Sequence, residues 1–271
     1  MSDHHYLFVD GGYFRLRHSE AIKSVFGQTC DLQLKGLRNI FTQKPQRVFY
    51  YDCLHDIPKV DETEEQLKNR VEAQQRMFDE IQSYEGFHVR LGSLSGNSRR
   101  FRQKEVDILL AVDALDHAFR KNMAGIILVA GDRDFAPLVE SLVRLGVWVH
   151  IWYDPRSVAN RLLEMADKAT PIGFHDYYNR CPNEFVKKHP LPIQSPNVPV
   201  RIDVAAGYEL LKTGGFGAQR ATLLKYQDDY LIVVEADPPW LLRHSDQAVL
   251  ENFFRVVHGQ IVWTEQRDAR G

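Results

Sequence analysis

Gly125-Ile126-Ile127-Leu128-Val129-Ala130-Gly131-Asp132-Arg133-Asp134-Phe135 decides the fold. Its apolar run offers no polar face, which is the habit of a strand in the middle of a parallel sheet. A turn with two acids follows, and then Phe135 to Leu145 has helical spacing. Upstream, Tyr6-Leu7-Phe8-Val9 predicts a short buried strand that stops at Asp10-Gly11-Gly12, and Arg47 to Tyr51 predicts a second. Glu62 to Tyr84, free of Gly and Pro, predicts a helix with apolar residues at Leu67, Val71, Phe78 and Ile81. Phe87 to Leu91 predicts a strand, Glu105 to Lys121 a helix, Val147 to Trp152 a strand and Ser157 to Ala166 a helix. Such β/α alternation predicts a parallel sheet covered on both faces. Trp148 and Trp152 share one face of their strand and are expected in the core.

The 271 residues carry 34 Lys+Arg and 36 Asp+Glu, a net charge of −2, which excludes a polybasic protein but leaves room for a local basic patch. The longest apolar runs fall far short of the ~20 residues of a membrane-spanning helix. Met1 to His5 lacks the regions of a signal peptide. Three cysteines, Cys30, Cys53 and Cys181, form no C-x-x-C pair, which fits neither a disulfide framework nor a zinc ribbon and points to a reducing cytoplasm.

Five of the 12 prolines, Pro182, Pro190, Pro192, Pro196 and Pro199, crowd together and predict a stiff, extended linker over residues 181–199. The chain thus reads as a first domain over 1–180, that linker, and a small α+β module over 200–271. In the module, Ala221 to Lys225 and Tyr230 to Glu235 predict paired strands around Asp228-Asp229, and Asp246 to Val257 a helix. Gly214-Gly215-Phe216-Gly217 follows no strand and lacks a closing Lys-Ser/Thr, so it reads as a turn rather than a phosphate loop.

Ligands of open α/β sheets bind at the carboxyl ends of the strands. Asp10, Asp52, Asp132 and Asp154 fall at such ends, and Asp134 opens the following helix. Any one of them is also the ordinary residue of a turn or helix cap; five on one edge are harder to dismiss. On the Glu105 helix, 100° per residue gives an apolar stripe of Ile108, Val112, Leu115 and Phe119, expected to face the core. Asp107 lies to one side in line with Ala111, Ala114 and Ala118, small residues that allow a close approach to the sheet. Asp113 falls on the other side and ranks second. Crowded carboxylates resist joint ionisation unless a cation neutralises them, and hard oxygen ligands suit Mg²⁺ or Mn²⁺. Such ions lower the pKa of a water and stabilise charge on a phosphodiester under attack. Gly11 and Gly12 would let a phosphate approach the backbone beside Asp10.

Phe8-Val9-Asp10-Gly11-Gly12-Tyr13, Lys104-Glu105-Val106-Asp107 with Leu110-Ala111-Val112-Asp113, and Gly131-Asp132-Arg133-Asp134-Phe135 resemble the NYN domain, a family of the PIN-like nucleases related to LabA-type proteins. Ser157-Val158-Ala159-Asn160-Arg161-Leu162 with Ala166-Asp167 resembles its closing helix, so the match spans residues 5 to 175. The resemblance implies a PIN-like three-layer α/β/α fold with a central parallel sheet, and metal-dependent endoribonuclease activity. It implies metal-ligand or catalytic roles for Asp10, Asp107, Asp132 and Asp134, and adds weight to Asp113, where the family tends to carry an acid. Tyr13 departs from the family's Asn.

Ser98-Arg99-Arg100-Phe101-Arg102-Gln103-Lys104 packs four cations around an aromatic just before Asp107, so Arg99, Arg100, Arg102 and Lys104 are expected to meet RNA phosphates. Arg15, Arg17 and His18 are weaker candidates. The leading expectation is a cytoplasmic Mg²⁺- or Mn²⁺-dependent nuclease acting on single-stranded RNA. The alternative is a non-catalytic regulator that binds RNA or protein. A homo-oligomer or partner contact through the C-terminal module is a further expectation. A haloacid-dehalogenase-like phosphatase would need a second acid where Gly12 stands.

Overall fold

The computed structural model describes residues 4–97, 100–195 and 207–264, and of residues 93–104 the backbone only. The chain divides into two units, one of residues 1–18 and 33–172, the other of residues 19–32 and 173–271. The first is built from β1 (His5–Asp10), residues 11–18 of α1 (Gly11–Phe26), β2 (Arg47–Cys53), α2 (Glu64–Ser83), β3 (Phe87–Asn97) and β4 (Arg100–Lys104). It continues with α3 (Val106–Phe119), β5 (Gly125–Val129), α4 (Ala136–Arg144), β6 (Trp148–Tyr153), α5 (Asn160–Glu164) and β7 (Lys168–Pro171).

Its strands form one sheet in the order β4-β3-β2-β1-β5-β6-β7. All run parallel except β4, which folds back antiparallel on β3. β5 lies between β1 and β6 and is buried at every position, as its apolar sequence requires. Helices flanking the largely parallel sheet make this the α/β architecture that the resemblance implies.

The α3 side of the sheet reverses one expectation. Ile108 is 66% exposed, Val112 56% and Phe119 67%, while Val106, Leu110, Ala114 and Ala118 face the core. The sheet supplies the bulk there, as Tyr6, Phe8, Phe49 and Tyr51 fill the space beneath the helix. Alanines opposite those rings let the helix backbone come close, so packing is completed by large strand residues against small helical ones. Trp148, at the first position of β6, is half-exposed rather than core, whereas Trp152 is buried and meets the Phe14 ring at 5.7 Å.

The helix α1 has no counterpart among the sequence expectations, which stopped at Gly11-Gly12. Those two residues are its first turn. A Cβ on Gly11 would lie 2.4 Å from the Tyr50 ring, so close contact with the sheet requires glycine there.

The second unit holds α6 (Phe174–Tyr178), α7 (Asn183–Lys188), β8 (Ile193–Ser195), β9 (Tyr208–Phe216), β10 (Gln219–Tyr226), β11 (Asp229–Val234), β12 (Trp240–His244), α8 (Gln247–Val257) and β13 (Val262–Thr264). Its antiparallel sheet has the order β13-β9-β10-β11-β12-β8. The expected β10–β11 hairpin and α8, capped by Asp246, are present. Two other expectations fail. Residues 183–188 are helical and 193–195 pair with β12, so the proline-rich stretch is not a continuous extended linker. Gly214 and Gly215 lie inside β9, and only Gly217, at φ 60°, makes the turn. Gly214 is needed where β13 crosses, because a Cβ would meet the Val262 carbonyl at 2.4 Å. Phe26 packs among Phe174, Tyr178 and Phe185 in this unit.

Candidate active site

Strand parity sorts the acids at the carboxyl edge. Side chains alternate between faces, so Asp10 shares the face of Tyr6 and Phe8, towards α3. Asp52 stands next to Tyr51, the partner of Asp10 in register, and therefore points to the opposite face, towards α1. Asp154, two residues after Trp152, follows the same opposite parity.

The partners match this division. Asp52 is buried and takes both Arg15 Nε and Nη2 at 2.9 Å, the Tyr50 hydroxyl at 3.1 Å and the Cys53 N–H at 2.8 Å. Asp154 is buried and accepts from the Arg156 guanidinium at 2.9 and 2.6 Å and from the Arg156 N–H at 2.8 Å. Asp113 on α3 takes the Tyr51 hydroxyl at 3.0 Å and Arg90 Nε at 2.9 Å. Each of these three acids is neutralised within the protein.

Asp10, Asp107, Asp132 and Asp134 form the other set. Among the described residues none of them pairs with an Arg or Lys. Burial lifts the Asp10 carboxyl to about 7; the Tyr13 N–H opposes this, while Asp107, Asp52 and Asp132 add to it. Asp107 is also raised, by desolvation first and then by Asp132 and Asp134. Asp10 thus feels the charges of Asp107 and Asp132, and Asp107 those of Asp132 and Asp134.

Local structure fixes each of them. Asp10 ends β1, and its Oδ1 accepts the Tyr13 N–H at 2.9 Å. Glu105, at φ 74°, turns β4 directly into α3 and sets Asp107 in the first helical turn, on the alanine side as its spacing predicts. Asp132 caps the 3-10 turn Arg133–Phe135 by accepting the Asp134 N–H at 2.9 Å. The cap in this motif is therefore Asp132, and Asp134 supplies the amide. Gly131 is required because a Cβ there would lie 2.1 Å from the Ser157 carbonyl and 2.6 Å from the Tyr13 ring.

Tyr13 is committed elsewhere. Its hydroxyl donates to the Ser157 carbonyl at 3.0 Å and accepts the Asp154 N–H at 2.8 Å, clamping the turn after β6. It holds the edge in shape rather than offering a group to the acids. Sequence reading missed this clamp and the Arg15–Asp52 pair; strand parity would have separated Asp52 and Asp154 from the rest.

Carboxylates without a cationic partner among the described residues are hard oxygen donors of the kind Mg²⁺ or Mn²⁺ prefers, but no three of these four bring ligand atoms within 4.8 Å of one another among the described residues. Asp52, Cys53 and His55 bring ligand atoms within 4.8 Å of one another, but Arg15 occupies both Asp52 oxygens.

Of the expected substrate contacts, Arg99 lies outside the described residues, as do the side chains of Arg100, Arg102 and Lys104. The backbone of Arg100, Arg102 and Lys104 belongs to β4, in register with Asn97, Ser95 and Ser93. Gly11 is buried and Gly12 half-buried in the first turn of α1. Arg15 serves Asp52, His18 is buried and Arg17 half-buried. Among the described residues no helix is long and apolar enough to cross a membrane.

The family model described as NYN domain matches residues 7–173. No curated protein matches the chain. Among solved structures, a protein of unknown function from Vibrio parahaemolyticus is similar over 64% of this chain and 96% of its own, at 23% identity and a TM-score of 0.42. UDP-N-acetylglucosamine 3-dehydrogenase from Acidithiobacillus ferrooxidans is similar over 94% of this chain and 89% of its own, at 10% identity and a TM-score of 0.22. Neither likeness is close enough to bear on activity.

Proposed function

Since the chain belongs to the NYN domain family of PIN-like nucleases, we propose that it is a divalent-metal-dependent endoribonuclease acting on single-stranded RNA in the cytoplasm. The observation that carries this reading is the sorting of acids into a guanidinium-neutralised set and a set, Asp10, Asp107, Asp132 and Asp134, with no Arg or Lys partner among the described residues. Mg²⁺ or Mn²⁺ bound by that set would acidify a water and offset charge on the phosphate.

Asp10 and Asp132 anchor the site, because backbone N–H groups already fix one oxygen of each. Asp107 and Asp134 complete the donor set or orient the attacking water. In the reaction the water oxygen bonds to phosphorus, the bond to one ester oxygen breaks, and that oxygen leaves with a proton. Arg99, Arg100, Arg102 and Lys104 meet the flanking phosphates, whereas Gly11 is buried against the Tyr50 ring and takes no part. Asp113, held by Arg90 and Tyr51, supports the α3 side of the sheet.

The test is cleavage of labelled RNA and DNA oligonucleotides in Mn²⁺, Mg²⁺ or EDTA. Asp10→Asn and Asp132→Asn should each lose cleavage by ~10²-fold or more while keeping the fold. A folded Asp10→Asn protein that cuts RNA at the full rate would refute the site. The commitment of Tyr13 to the Ser157–Asp154 clamp favours a second reading, an RNA- or protein-binding regulator without turnover. Salt-sensitive RNA binding with no cleavage in any metal would select it.

A further inference from the structure

Cys30 and Cys181 stand 151 positions apart in the chain, yet their sulfurs lie within 4.8 Å of each other. Both belong to the second unit, Cys30 in its residues 19–32 and Cys181 in its residues 173–271. No C-x-x-C motif announces the pair; folding alone brings it together. The backbone on both sides is held. Gly27, at φ 71°, ends α1 with its N–H on the Lys23 carbonyl at 2.9 Å. Next to it, Phe26 packs against Tyr178 and Phe185, and Gln28 Nε2 meets the His189 ring at 2.7 Å. Cys181 follows α6, where its N–H donates to the Tyr178 carbonyl at 3.0 Å and its thiol to the Tyr177 carbonyl at 3.8 Å. These contacts hold the two sulfurs near each other before any bond joins them, the preorganisation that disulfide closure needs.

We propose that Cys30 and Cys181 form a reversible disulfide, with a low-molecular-weight disulfide such as oxidised glutathione as the oxidant. The bond staples the segment after α1 to the segment after α6. In a reducing compartment such a bond is transient and reports the presence of oxidant. This inference does not rest on nuclease activity.

Exposure divides the roles. Cys30 is half-buried and open to an oxidant, while Cys181 is only 6% exposed. The Cys181 thiol is also pushed above the ordinary thiol range, first by its hydrogen bond to Cys30, then by burial and by charge on Cys30. A donor on the Cys30 sulfur favours the Cys30 thiolate. That thiolate attacks one sulfur of oxidised glutathione, whose S–S bond breaks as one glutathione thiolate leaves. The step removes the charge on Cys30, and with it one of the causes that keep Cys181 protonated. Cys181 then gives its proton to solvent, attacks the Cys30 sulfur and expels the second glutathione thiolate. Over both steps two protein thiols lose two electrons and two protons, and one glutathione disulfide becomes two thiols.

The test exposes the folded full chain to graded ratios of oxidised to reduced glutathione and maps its peptides by mass spectrometry. A peptide pair joining Cys30 to Cys181 within one chain should appear as the ratio rises and vanish with dithiothreitol. Cys53→Ser should leave it unchanged. Cys181→Ser should halt with glutathione on Cys30, and Cys30→Ser should leave Cys181 unmodified. The staple should also lower the unfolded-to-folded ratio in urea at least tenfold, a gain that Cys30→Ser lacks. Glutathione that stays on wild-type Cys30, a bridge to Cys53 or a bridge between two chains overturns the inference. So does a chain left unmodified at the most oxidising ratio, or a bridge without the gain in stability.

Discussion

Asp10 carries a charge that its surroundings oppose. Its carboxyl rises from 3.8 to about 7, so the folded chain keeps a proton that the unfolded chain releases between those values. Stability is therefore full below about pH 4 and falls as pH climbs to 7. In EDTA, Asp10→Asn should be more stable than wild type at pH 8 by up to about 4 kcal/mol and equal to it at pH 4, as read from urea midpoints. Arg15→Ala should do the reverse, costing about 3–5 kcal/mol by leaving the buried Asp52 carboxylate without its cation. The strand-end positions of these acids are legible in the sequence. Their separation is not, because the neutralising groups come from 37 residues away for Asp52 and from 23 and 62 away for Asp113.

At the scale of elements, alternation of strand and helix was legible wherever apolar periodicity was strong, as in β5, α2 and α8. The helix α1 was hidden because two glycines open it, and glycine reads locally as a break. Only Tyr50, across the sheet, accounts for the first of them. The facing of α3 was misjudged for a related reason. Periodicity finds an apolar stripe but not which stripe a neighbour covers, and the rings of β1 and β2 made alanine the better core residue. The turn after β6 depends on a distant group in the same way, through the Tyr13 hydroxyl. Tyr13→Phe should cost about 1–3 kcal/mol, measured by denaturant unfolding, since it removes the acceptor of the Asp154 N–H and the donor to Ser157.

For the whole molecule, the sequence announced a second module but placed its boundary in the proline-rich stretch. The second unit instead takes residues 19–32 as well as 173–271. No local composition marks that division, since it falls inside α1. A chain ending at residue 180 should therefore leave Phe26 without Phe185 and His189, and Phe174 without Phe253, with raised binding of a hydrophobic dye as the readout. The split also sets a clock on biosynthesis. Of Phe174, Tyr178, Phe185 and His189, the rings around Phe26, the first to be synthesised is Phe174, 148 residues later in the chain. At ~5–20 residues per second, the ribosome makes that segment wait roughly 7 to 30 s for its first companion. Throughout that interval the carboxyl end of α1 lacks the aromatic partners that surround Phe26 in the finished fold.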